Sequence, residues 1–214
     1  MSFRPIDLEH WNRLEYFRHY HQTVPCTYSM TIKLDISSLR QRNLKVFPTM
    51  LYALAVVVNR HRELRTVFNA EGVLGIYDVM HPCYTVFHKT SNTFSNLWTF
   101  FDSDYSTFLQ ACQKDMELFG ANEGILGKPN VPENCFTVSC IPWVTFDGFN
   151  LNLPKSNDYL IPIFTMGKFF QDGQRTLMPL AVQVHHAVCD GFHTARLINE
   201  VQELLEQEHF CTDY

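Results

Sequence analysis

The chain has 214 residues, 46% hydrophobic and 14% aromatic, which suffices to bury one sizeable core in a single domain spanning residues 1–214. Its 17 Lys plus Arg against 22 Asp plus Glu leave a formal charge of -5, and no basic block or arginine-rich stretch marks a nucleic-acid footprint. The apolar run Met50 to Val58 is far shorter than the roughly 20 residues that span a bilayer, and Met1-Ser2-Phe3-Arg4-Pro5-Ile6-Asp7 is no signal sequence. A cytoplasmic protein without nucleic-acid or membrane partners is expected.

After Asp7, the helical spacing of Trp11, Leu14, Phe17 and Tyr20 predicts a short amphipathic helix. Thr27 to Asp35 is rich in β-branched and aromatic residues and reads as a strand. Pro48 suits the first turn of a second helix that carries Leu51, Leu54, Ala55 and Val58 and ends near Glu63. Strands follow at Gly72 to Tyr77 and Cys83 to His88. A third helix starts near Asp104 or Ser106 and packs Phe108, Ala111, Cys112, Met116 and Leu118. It stops at Gly120, a residue suited to a left-handed cap. Gly120 to Asn134, with Gly124, Gly127, Pro129 and Pro132, reads as a long surface loop. Cys135 to Ile141, Tyr159 to Lys168 and Arg175 to His186 read as strands. A last helix from about Phe192 to Glu206 aligns Leu197, Ile198, Val201, Leu204 and Leu205 on one face. Four helices among irregularly ordered strands fit an α/β fold of the α+β type, a two-layer sandwich with helices covering a mixed sheet.

The seven cysteines, Cys26, Cys83, Cys112, Cys135, Cys140, Cys189 and Cys211, are scattered and include no Cys-x-x-Cys pair. Reduced, mostly buried thiols are expected, with no disulfide framework and no metal site.

The densest chemistry lies in Val184-His185-His186-Ala187-Val188-Cys189-Asp190-Gly191-Phe192-His193, between a long strand and the final helix. Side chains at such a junction can face a cleft. Neighbouring strand residues point to opposite faces, so one histidine at most serves a given site and the other is structural. Adjacent histidines on a strand also converge poorly on zinc. Gly191 permits a tight turn that brings Asp190 near the strand end. Asp190 then either orients the histidine or caps the helix, and the local pattern favours neither. A histidine, with an ordinary pKa of about 6.5, is suited to take a proton from an alcohol or thiol. Cys189 sits too close along the turn for a nucleophile paired with His186 and reads as buried.

His-His-x-x-x-Asp-Gly resembles the signature of the CoA-dependent acyltransferases, and by chance it would occur in below about one chain in a thousand of this length. Tyr84-Thr85-Val86-Phe87-His88, Thr93-Phe94-Ser95, Pro142-Trp143-Val144, Phe149-Asn150-Leu151-Asn152 and Phe164-Thr165-Met166-Gly167-Lys168 extend the likeness. Together they resemble the chloramphenicol acetyltransferases over nearly the whole chain.

The resemblance implies acetyl transfer from acetyl-CoA to the 3-hydroxyl of chloramphenicol, conferring resistance, with no acyl-enzyme and no permanently bound cofactor. It makes His186 the general base and Ser139 the oxyanion donor, with Thr165 supporting the same oxyanion through water. Asp190 carries over as a structural anion paired with Arg13. Tyr20, Cys26, Tyr28, Phe94, Leu126, Phe149, Leu151 and Ile163 carry over as the drug pocket. For CoA the counterparts are Lys45 and Lys168 at the phosphates, with Phe47, Ser95, Trp143 and Phe169 along the rest of the molecule. Phe47 and Phe169 stand where tyrosine is common, so a hydroxyl contact made there is missing. The resemblance further implies a homotrimer whose active sites lie between subunits. Without it, Ser139 and Thr165 would read as ordinary strand residues, Phe94, Phe149 and Ile163 as core, and Lys45, Lys168 and Arg13 as surface. The motif alone also permits an acyltransferase for another alcohol or amine, and a silent drug- or CoA-binding protein is the alternative from a different class.

Overall fold

The computed structural model describes residues 2–153 and 158–207, so Cys211 lies outside the described residues. A small antiparallel sheet orders β1 (Phe3–Pro5), β4 (Leu74–Tyr77) and β3 (Thr66–Phe68) side by side. The main sheet runs in the order β2 (Thr27–Asp35), β10 (Arg175–His185), β8 (Ile163–Gly167), β7 (Cys135–Ile141), β5 (His81–His88), β6 (Thr93–Trp98), with β9 (Phe170–Asp172) also paired to β10. Only the β5–β7 and β7–β8 pairs of this sheet are parallel, so the sheet is mixed. The α-helices are α1 (Leu14–Arg18), α2 (Ser37–Gln41), α3 (Val46–Arg60), α4 (Tyr105–Phe119) and α5 (Gly191–Glu206).

The period of two along the central strands sorts side chains between the two faces of the sheet. Phe136 and Val138 on β7, Phe164 on β8, and Leu180 and Val182 on β10 are fully buried in the same cluster as Leu51, Leu54 and Val58 of α3 and Leu197 and Val201 of α5. Each such side chain contributes about 1.5–3 kcal/mol by leaving water. The alternate residues, Ser139, Thr165, Ala181 and Gln183, therefore occupy the face opposite the helices, in register with one another: Ser139 beside Thr165, and Thr165 beside Ala181. This second face is where polar side chains are placed.

Pro48 does occupy the first turn of α3, where a missing N–H costs nothing. That helix ends at Arg60, and a separate 3-10 turn, Arg62–Arg65, accounts for the residues around Glu63. Asp104 caps α4 by accepting from the Thr107 amide at 2.7 Å. Gly120 does not adopt the expected left-handed cap; its φ is -66°, and its amide simply continues to the Met116 carbonyl. Five α-helices form among the described residues where four helices are expected, because α2 is too short to show periodicity. Short strands β1, β3 and β9 escaped for the same reason. The hairpin strand β6 goes beyond the expected strands, and its Thr93, Phe94 and Trp98 favour the pleated conformation.

Candidate active site

Strand β10 ends at His185, and the chain turns through His186 to Cys189 before Asp190 starts α5. The turn is gripped from outside by Arg13, just before α1. Its Nε donates to the Ala187 carbonyl at 2.9 Å, Nη2 to the His186 carbonyl at 3.1 Å, and Nη1 to Asp190 Oδ2 at 3.1 Å. Arg13 thus spends its planar fork on three acceptors within one turn. Asp190 serves two elements at once. One oxygen meets Arg13, and the other accepts from the Phe192 amide at 3.1 Å as the cap of α5, with His193 closing the reciprocal capping box. Burial alone would push the Asp190 carboxyl up, but the Arg13 hydrogen bond and the His193 and Arg13 charges outweigh it and hold it below the usual carboxylate range. Asp190 therefore acts as cap and anchor. Gly191 needs no special backbone: it is the first residue of α5, a Cβ there would meet nothing, and the turn belongs to the residues before it.

The two histidines have separate environments. His185 is buried, its Nδ1 accepts from the Ala187 amide at 3.1 Å, and burial, reinforced by His21 and His186, lowers its pKa to about 4. It is a neutral structural acceptor. His186 is partly exposed. Its backbone amide donates to the Cys26 carbonyl at 3.0 Å, and its ring stacks on Tyr20 with centroids 3.8 Å apart and planes within 12°. Tyr28 closes the other side edge-on at 5.4 Å, its hydroxyl tied to Thr194 of α5 at 2.6 Å. Tyr20 belongs to a π-helical turn, His19–Thr23, that widens the end of α1. His186 Nδ1 is buried without a hydrogen-bond partner among the described residues, so aromatic packing and the gripped backbone hold the ring. Cys26 contributes its carbonyl here, and burial raises its thiol pKa. Cys189 is buried, and desolvation pushes its thiol far up.

Ser139 and Thr165, adjacent across the parallel β7–β8 ladder, open into a groove of about 600 Å³. Phe94, Phe149, Leu151, Trp143 and Phe47 share its lining. Phe87 meets the Trp143 ring in an edge-type contact, centroids 4.7 Å apart, on the same groove; its place two residues from Thr85, on the same face of β5, is the signal in the sequence. His186 is not among the lining residues. Thr165 lies opposite Ala181, five residues before His186, which at about 3.3 Å per residue places the histidine roughly 16 Å along the strand. Tyr20, Cys26 and Tyr28 stay with His186 at that end.

The remaining expected site residues scatter. Ile163 is buried in β8, and Leu126 is exposed, bridged to Asn96 in the loop before β7. Lys45, at the start of α3, and Lys168, just after β8, are exposed cations, and Phe169 lies under the Arg40 guanidinium at 5.3 Å. Ser95, expected along CoA, is fully buried, and its hydroxyl meets His88 Nε2 at 2.9 Å. Among the described residues no group of three or more His, Cys, Asp or Glu could hold a metal ion, and no helix is long and apolar enough to cross a membrane.

A family model described as chloramphenicol acetyltransferase matches residues 1–202. The chain belongs to the chloramphenicol acetyltransferase family. A chloramphenicol acetyltransferase of Clostridium perfringens is 57% identical over 205 residues, covering 96% of this chain and 99% of its own. One of Clostridioides difficile is 56% identical over 211 residues, 99% of this chain and 100% of its own. Among solved structures, a chloramphenicol acetyltransferase superposes with a TM-score of 0.84 at 22% identity, covering 96% of this chain and 100% of that one. A dihydrolipoamide acetyltransferase of Azotobacter vinelandii gives 0.67 at 18%, covering 91% and 87%, so the two acyltransferases share the fold. The α/β sandwich with its mixed sheet is thus that of the chloramphenicol acetyltransferase family, and the chain is an acyltransferase of that family.

Proposed function

We propose that this chain, acting as one domain over residues 1–214, transfers the acetyl group of acetyl-CoA to the 3-hydroxyl of chloramphenicol and so confers resistance. The observation that carries the reading is the imidazole of His186, partly exposed and fixed by Tyr20 stacking and by Arg13 on its own carbonyl. With Nδ1 buried, Nε2 is the nitrogen that takes the hydroxyl proton. The freed oxygen attacks the thioester carbonyl, and the Ser139 hydroxyl donates to the oxyanion that forms, with Thr165 supporting it through water. Collapse breaks the C–S bond, and the departing thiolate takes the proton back from His186. No acyl-enzyme, metal or resident cofactor is required.

Phe94, Phe149 and Leu151, with Tyr20, Cys26 and Tyr28, are proposed to enclose the drug, and Lys45 and Lys168 to meet the CoA phosphates while Phe47, Trp143 and Phe169 flank the rest. Leu126 and Ile163 complete the drug site in this reading, and Ser95 supports the groove from within. Proton transfer needs heavy atoms within about 3 Å, whereas roughly 16 Å of strand separates His186 from the Thr165 level. That separation supports a site shared between subunits, with His186 of one facing the groove of the next; in this reading the assembly is a homotrimer. Acetyl-CoA as co-substrate places the reaction in the cytoplasm.

The test is release of CoA thiol from acetyl-CoA with and without chloramphenicol, run on wild type and His186→Ala together. Drug-dependent release by wild type alone is expected. Release with a different alcohol or amine but not chloramphenicol would reassign the substrate, and a fully active His186→Ala would remove the mechanism.

A further inference from the structure

Gln183 is the one residue with a polar side chain in the β10 run Leu177 to Val184, and it is 5% exposed. Strand alternation turns it toward the face that bears Ser139 and Thr165, between Ser29 on β2 and Ile163 on β8. A buried primary amide must find partners for both its carbonyl and its NH₂. Gln183 finds them in the main chain of a single residue, Leu151. Its Oε1 accepts from the Leu151 amide at 2.7 Å, and its Nε2 donates to the Leu151 carbonyl at 2.9 Å. Ser29 Oγ adds a weaker bond to Oε1 at 3.3 Å.

The residues around Leu151 belong to no helix or strand, so no ladder fixes them. The Gln183 amide stands in for a strand neighbour, forming the paired donor and acceptor that a ladder would supply. Two residues upstream, the Phe149 amide donates to Thr31 Oγ1 at 3.3 Å. The segment is thus pinned to β10 and β2 while the Leu151 side chain, 40% exposed, and the Phe149 ring line the groove beside Ser139.

We propose that Gln183 is a specificity-determining positioning residue, whose amide clamps the Leu151 peptide and so sets the apolar wall presented to the acceptor. The inference rests on the acceptor site proposed above. Gln183 touches no reacting atom and acts through Leu151, so its loss moves acceptor binding and leaves acetyl-CoA binding in place.

The experiment compares the purified oligomers of wild type, Gln183→Met, Leu151→Ala and the double variant. Gln183→Met keeps the volume and removes both bonds. The expected result is a KM for chloramphenicol raised by about 10-fold or more, since small misplacements of positioning groups carry such costs, with the KM for acetyl-CoA within about twofold of wild type. The double variant is expected to be no worse than the poorer single, because both changes act on one wall. An unchanged chloramphenicol KM in Gln183→Met, or fully additive losses in the double variant, overturns the proposal. If Gln183→Met does not fold, Gln183→Glu retains the acceptor half and is expected to show the same selective rise in KM; wild-type constants would overturn the proposal. Hydrogen exchange across residues 149–152 reads the clamp without activity. Faster exchange is expected in either variant, and unchanged exchange overturns the clamp even if wild type proves to use another acceptor.

Discussion

Arg13 donates through Nη2 to the main-chain carbonyl of His186 at 3.1 Å, across 173 positions of sequence, while its Nε holds the next carbonyl, Ala187, at 2.9 Å. The proposed base is therefore held by its backbone, and Asp190 reaches it only through this guanidinium. Arg13→Ala frees the turn and leaves two carbonyls and a carboxylate without their donor. A fall in kcat/KM of roughly 10- to 100-fold is expected, equivalent to about 1.4–2.8 kcal/mol of barrier. Arg13→Lys should recover little, since a single ammonium cannot span three acceptors. Steady-state kinetics on folded protein decide it, and wild-type activity in Arg13→Ala would show that the turn holds itself.

Removing the Ser139 hydroxyl addresses the oxyanion. Ser139→Ala is expected to lower kcat by about 100- to 1000-fold with little change in either KM, because the hydroxyl is used in the transition state. His186→Ala is expected to lose about 100- to 10,000-fold. The two variants together test where the site lies. If His186 of one subunit serves Ser139 of its neighbour, dissociating and reassembling the two dead proteins as a mixture restores some active sites. Mixed oligomers that stay as inactive as either parent would place both groups in one chain.

Three chains of 25.0 kDa are expected to run together in light scattering. A fully active monomer would contradict the intersubunit site directly.

Acid should weaken the fold through His81 and His185. Burial lowers the pKa of each to about 4, and each accepts a backbone N–H through Nδ1: His81 from Phe101 and His185 from Ala187. Both folded values lie below the ordinary value of about 6.5, so the unfolded chain binds more protons in between. The stability they contribute is complete above about pH 6.5 and is lost as pH falls through about 4, on the order of a few kcal/mol for each. Denaturant midpoints between pH 7.5 and 4.5 measure this, and His81→Gln should flatten the curve. A stability independent of pH over that range would show that neither histidine stays neutral in the fold.

Lys128 offers a contrast away from the site. Its ammonium donates to Asp115 at 2.7 Å and to the Trp98 carbonyl at 2.9 Å, and lies 3.7 Å from the Trp98 ring centroid. Lys128→Met strands a buried carboxylate, and a loss of roughly 3–5 kcal/mol is expected, read as a lower thermal midpoint. Activity well below that midpoint should be near wild type. A selective kinetic defect at full folding would show that the pair reaches the active site.

Much of this was legible from local pattern. β2 and β7 form over the very spans that their β-branched content predicted, and α4 and α5 begin within a residue or two of the expected starts. Other features lacked a local signal. The stacking of Tyr20 on His186 depends on a π-turn that no periodicity announces, and Ser95 is buried by an interaction with His88 that its sequence neighbours do not reveal.

The sequence by itself determined that a long strand would lead into the paired histidines and, within a few residues, into a last helix, because covalent adjacency keeps His185 to Asp190 together in any fold. It also determined which faces are apolar, since hydrophobic period follows chain geometry. Only the tertiary structure decided that Asp190 would cap α5 and engage Arg13 while leaving His186 to its tyrosines. It likewise set Ser139 beside Thr165 and far along the sheet from His186, and gave Gln183 the Leu151 peptide as its partner. Such contacts join residues far apart in sequence through strand register and packing. Their geometry exists only once the long loops between them have closed.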